Sequence, residues 1–196
     1  MYETLIYPQF SMQQFISFIN KPILKISLLF GVITAALAFS YFLVLYFLKI
    51  QPLNKNIRVP DFGFYIATMA TATWYYRRRV GKGLLHLWEA LTICYVVNSM
   101  GALLTGWLIY GFVSLIDPTL FSGYLDESLQ LLTSDKANLV KTIGAVEYQK
   151  MYNEVSRNTP GVLISDEFGK KSLMAVLPII IISLLLRRQP YGVNQT

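Results

Sequence analysis

Glu89 and His86 are the side chains with the most chemical reach in a chain that carries little chemistry elsewhere. They stand three residues apart, so a helix would put both on one face, where they could share a proton or a hydrogen bond. A carboxylate within an apolar run is costly and marks a candidate functional position. The plainer expectation is that Glu89 lies near a membrane surface and pairs with Arg77, Arg78 or Lys82. Asn98 is a third intramembrane candidate, able to hydrogen-bond across a helix interface.

Other chemistry is excluded by residue type. His86 is the single histidine and Cys94 the single cysteine, whereas a tetrahedral metal site takes three or four such ligands. Asp61 and Glu89 are expected on opposite membrane sides, so they make no acid–base pair. The chain holds no glycine-rich phosphate loop and no nucleophile elbow. It reads as a non-enzyme without metal or cofactor.

The segments that must position these residues are greasy. Of 196 residues, 54% are hydrophobic and 14% charged, against about 25% charged in a soluble domain. That composition points to an all-α membrane protein. Four transmembrane helices are expected, over Ile26–Leu48, Pro60–Tyr76, Leu84–Ile116 and a last span whose apolar core is Leu173–Leu186. Lys170 and Lys171 are expected at the interface before that core, and Pro178 should kink it. Between spans three and four, Phe121, Leu125, Leu129 and Leu132, then Leu139, Ile143 and Val146, recur at helical spacing. They predict an amphipathic helical pair broken at Ser134-Asp135.

The organisation expected is an N-terminal interfacial aromatic segment (1–22), a four-helix transmembrane domain (23–188) that includes amphipathic periplasmic helices (118–157), and a C-terminal cytoplasmic tail (189–196). Ala36-Leu37-Ala38 looks like a signal-peptide cleavage site, but the apolar run continues past it and Met1-Tyr2-Glu3 is no basic leader. The first run is read as an uncleaved span.

Small residues predict where helices approach: Gly31, Ala35 and Ala38; Gly63, Ala67, Ala70 and Thr71; Ala102 and Gly106 beside Asn98. The Ile/Leu-rich last span should face lipid or a partner. The net charge of +6 gathers at span ends, so it reads as topology signal and not as nucleic-acid binding. Arg77, Arg78, Arg79, Lys82, Arg187 and Arg188 are candidate contacts for anionic headgroups. Their placement puts both termini in the cytoplasm, although Lys49, Lys55 and Arg58 run against the rule.

One order of pieces resembles a known family. Gln51-Pro52-Leu53 closes span one, Tyr75-Tyr76-Arg77-Arg78 closes span two, and Leu87-Trp88-Glu89-Ala90-Leu91 opens span three. Asp117-Pro118 then ends it, an amphipathic stretch follows, and Pro160-Gly161 leads into a segment ending at Arg188. The chain is similar over about residues 25–188 to the bacterial membrane proteins known as domain of unknown function 4199. The resemblance implies a four-span inner-membrane protein of Gram-negative bacteria with no catalytic residues to carry over. Members of such families are often encoded near a membrane-associated glycosyltransferase, so the resemblance also implies an accessory role in envelope assembly, with such an enzyme as a candidate partner.

The function expected is a non-catalytic accessory subunit of an inner-membrane envelope complex, with membrane lipid and other membrane proteins as partners. One alternative is a small proton-linked transporter or channel using Glu89 and His86. Another is a helper or enzyme acting on lipid-linked substrates, with Arg77 to Arg79 at a phosphate and Glu89 as base.

Overall fold

The computed structural model describes residues 21–54 and 58–188. The aromatic N-terminal stretch up to residue 20 and the tail from residue 189 fall outside the described residues. Helix α1 is Pro22–Phe47, with Pro22 in the first turn, where its missing N–H costs nothing. A 3-10 turn, Val59–Asp61, leads directly into α2, Phe62–Arg79. Helix α3 is Leu87–Leu115. Three short helices follow: α4 Thr119–Ser134, α5 Lys136–Ile143 and α6 Ala145–Ser156. Helix α7, Val162–Leu186, begins before Asp166 and carries Pro178 inside it.

The expected helical pair is therefore a trio. The break at Ser134-Asp135 holds, but a second falls at Gly144, whose φ of 87° is open to glycine and disfavoured for other residues. Val146, expected on an apolar face, is 82% exposed.

Among the described residues three helices, α1, α3 and α7, are long and apolar enough to cross a membrane. The fourth expected span, α2, is not among them. Its 18 residues include Thr68, Thr71 and Thr73, three tyrosines and the arginine triplet, and these polar groups offset its apolar ones. Its buried positions, Phe62, Tyr65, Thr68, Met69, Ala72, Thr73 and Tyr76, recur at helical spacing and form one inward face.

Helix α3 lies at the centre, packed by α1, α2 and α7, while α2 also touches α1 and α7. Two apolar clusters fill the bundle. One joins Tyr65, Met69, Ile93 and Val97 to Ala175 and Ile182. The other, at the opposite end, sets Phe42, Ile109 and Val113 around Phe112, whose ring meets those of Phe42 at 5.4 Å and Tyr46 at 5.0 Å.

Small residues make the close approaches. A Cβ on Gly101 would stand 3.0 Å from Thr34, and one on Gly106 would stand 3.0 Å from the Cα of Ile164. Gly31, Ala35 and Ala38 are buried as expected. The stripe expected on α2 is not: Gly63, Ala67 and Thr71 are exposed, because the larger polar residues of this helix take the inner face. Helix α7 packs on α3 through Ala175 and Ile182, yet keeps Leu173, Leu177, Ile181 and Leu185 exposed.

Beyond α3, Asp117 accepts hydrogen bonds from the Tyr46 hydroxyl at 3.1 Å and from the Thr119 backbone at 3.1 Å. The Thr119 hydroxyl, and after it that of Tyr46, hold the Asp117 carboxyl below its ordinary value.

Candidate functional site

The least expected feature is a cluster of four charged side chains where α2 begins. The turn Val59–Asp61 starts from Arg58 and delivers Asp61 to the head of α2. Glu167 and Lys171 stand one turn apart on α7, so both reach the same point. Gly106 lets the α7 backbone come close enough, since a Cβ there would also meet the Cβ of Glu167 at 3.5 Å.

Arg58 forks onto Glu167, with Nη1 3.0 Å from Oε2 and Nη2 3.0 Å from Oε1. Its Nη2 also donates to Oδ2 of Asp61 at 3.1 Å. Lys171 donates to Oδ1 of Asp61 and lies 3.9 Å from Oε1 of Glu167. Asp61 is 0% exposed, Lys171 5% and Glu167 6%, so these groups are shielded from water and from lipid.

Two cations and two carboxylates cancel. In a low-dielectric setting only such mutual, hydrogen-bonded pairing offsets the cost of desolvation. Burial acts to lower the pKa of Arg58, but the carboxylates of Glu167 and Asp61 outweigh it and raise the value, so the guanidinium stays charged. Aromatic faces close the site: the Lys171 ammonium lies 5.1 Å from the centre of the Tyr65 ring and 5.6 Å from that of Phe62. Arg58 Nε is buried and has no hydrogen-bond partner among the described residues.

From this cluster a polar seam follows the inner face of α2. Tyr65 donates its hydroxyl to Thr105 at 3.1 Å. Thr68 and Thr34 meet at 2.7 Å, and Thr73 meets Cys94 at 3.3 Å. At the far end Tyr76 donates to Glu89 at 3.1 Å. Asn98 is buried on α3, and its Oδ1 has no hydrogen-bond partner among the described residues.

The residues singled out from sequence divide differently. Glu89 accepts the backbone N–H of His86 at 2.8 Å as well as the Tyr76 hydroxyl, so it caps the first turn of α3. His86 is exposed at the N-cap. Asp61 and Glu89 lie near opposite ends of α2 and do not meet.

Arg77, Arg78, Arg79 and Lys82 do share one end of the bundle with Arg187 and Arg188. A two-way backbone bridge fixes this, Leu85 N to Arg188 O at 2.9 Å and Arg188 N to Leu85 O at 3.0 Å. Arg77 also donates to the Leu186 carbonyl at 3.2 Å.

Sequence reasoning missed Arg58, Glu167 and Lys171 as a site and set Asp61 aside. The available signal was the opposite-charge pair Glu167/Lys171 at i, i+4 within the last helix, with Asp61 opening another. Lys171 was expected at the interface; it is drawn inward by Asp61.

A helix bundle whose charges are internally matched, with three helices fit to cross a bilayer, defines an all-helical membrane protein. The chain belongs to the family described as Protein of unknown function (DUF4199), whose sequence model matches residues 29–188. That range contains every residue of the charge cluster. No curated protein and no solved structure matches the chain.

Proposed function

We propose that this chain is a non-catalytic accessory subunit of a bacterial inner-membrane envelope complex, crossing the bilayer four times with both termini in the cytoplasm. The observation that carries the reading is how the ionisable groups inside the bundle are used. Arg58, Asp61, Glu167 and Lys171 neutralise one another and Glu89 caps a helix, so each charge already has a structural task. The outer face of α7, by contrast, is apolar from Leu173 to Leu185. The short helices α4 to α6 add exposed surface at one end of the bundle.

Four crossings are supported by α2 itself. At about 1.5 Å per residue its 18 residues reach about 27 Å, close to the hydrocarbon thickness of about 30 Å. Its ends touch structures at opposite ends of the bundle. The basic end, carrying Arg77 to Lys82 and Arg187-Arg188, then faces the cytoplasm. A proton-linked transporter has less support, because Glu89 is engaged as a cap and His86 lies outside the bundle.

The test is photo-crosslinking in native membranes from Leu177 and Ile181 on α7, with Trp107 on α3 as comparison. Defined protein adducts from α7, recovered with the same partner after mild-detergent purification, are expected. Lipid adducts alone, with a lone monodisperse chain, overturn the proposal.

A further inference from the structure

We propose that the last turn of α2 and the turn after it form a seat for an anionic glycerophospholipid. Its phosphate would lie between Arg78 and Arg79, and an acyl chain would run down the outer face of α2. Trp74, Tyr75, Arg78, Arg79 and Gly83 line a groove of about 500 Å³ there, within the range of about 300–1,000 Å³ usual for small-molecule sites.

The arginine triplet is divided by its neighbours. Arg77 turns inward to the Leu186 carbonyl, whereas Arg78 and Arg79 are exposed. The Arg78 guanidinium stacks 4.8 Å from the centre of the Trp74 ring, which fixes one face and leaves the fork free for an oxyanion. Glu89 is the nearby carboxylate in sequence, and both its oxygens are taken, one by Tyr76 and one by the His86 backbone. Its charge is thus committed to a helix cap on the far side of α2's inner face. A Cβ on Gly83 would meet nothing within 4 Å, so the turn leaves space beside the arginines.

The same place suits a lipid better than a free anion. Trp74 and Tyr75 are amphipathic rings of the kind that sit at headgroup level. Below them the outer face of α2 shows Thr71, Ala67 and Gly63, exposed and small. On the α1 side this strip is edged by aromatic contacts, Phe30 with Tyr75 at 6.0 Å and Tyr41 with Phe64 at 6.3 Å. This strip of small residues would form the furrow in which an acyl chain lies below the basic groove. The anionic cytoplasmic leaflet supplies the ligand wherever the basic end faces it.

The experiment uses the full chain reconstituted in vesicles of equal phosphatidylglycerol and phosphatidylcholine. Lipids that stay bound after extraction in neutral detergent are counted by native mass spectrometry. The wild-type chain should retain phosphatidylglycerol preferentially. Arg78→Ala with Arg79→Ala should lower that preference by about tenfold or more, as two cationic contacts at an anionic leaflet are lost. Arg187→Ala with Arg188→Ala makes the same change in net charge and, removing only diffuse attraction to the leaflet, should lower the preference markedly less. Ala67→Leu with Thr71→Leu fills the furrow, keeps the arginines, and should also lower retention.

Equal losses from both arginine pairs would mean diffuse electrostatics and overturn the seat. So would displacement of the lipid by inorganic phosphate, or an unchanged preference when the furrow is filled. If the Arg78/Arg79 variant fails to fold, judged by helicity, the furrow variant decides alone.

Discussion

Lys171 occupies a position where a lone ammonium would be untenable, held by Asp61 and lying over the Tyr65 ring. Lys171→Met should destabilise the bundle by about 3–5 kcal/mol, because Asp61 is left buried and short of one partner. Adding Asp61→Asn should recover part of that loss, since the orphaned charge goes too. Equal unfolding midpoints for the single and double variants in mixed micelles would show the two residues to be uncoupled. Little at this scale was legible in advance. An opposite-charge pair before an apolar run looks alike whether it faces headgroups or a buried aspartate. Glu89 carried two readings for a related reason: a capping glutamate at the third position of a helix has the same sequence signature as an intramembrane acid. Its partners are Tyr76 and the His86 backbone, where Arg77, Arg78 or Lys82 were expected.

Helices were more readable than side chains, since apolar length and breaking residues survive in any context. The start of α1 at Pro22 follows from proline's place in the first turn, and α4 begins directly after Asp117-Pro118, with Pro118 as its N-cap. The split at Gly144 was hidden because glycine's backbone freedom carries no periodicity. The small-residue stripe on α2 was read onto the wrong face, as sequence spacing does not say which face packs inward. On α3, Gly106 faces the α7 backbone at Ile164. Gly106→Val should separate the two helices at a cost of about 1–3 kcal/mol, through overpacking against main chain that cannot step aside. Gly111→Val, at a position with open space around it, should change the thermal midpoint far less. The comparison is read from paired melting curves.

For the whole molecule, the sequence foretold an all-helical membrane bundle with a fourth span over Pro60–Tyr76, whereas among the described residues three helices are long and apolar enough to cross and α2 is not one of them. Cysteine labelling settles the crossing number. In a Cys94→Ala background, Lys82→Cys should react only from the cytoplasmic side, and Lys49→Cys and Lys136→Cys only from the opposite side. Labelling of positions 49 and 82 from one side would mean that α2 enters the bundle without crossing.

The charge cluster also sets a timetable for synthesis. Lys171 follows Asp61 by 110 residues, so Arg58 and Asp61 are already made when the final helix leaves the ribosome. A lysine and a glutamate delivered to the translocation machinery at that moment find their counter-ions waiting at the head of the second helix. Docking of the last segment is thereby tied to correct placement of the first hairpin. In a chain whose early helices are misplaced, the apolar part of the last helix can still enter lipid, but Glu167 and Lys171 at its head lose the partners that Arg58 and Asp61 supply.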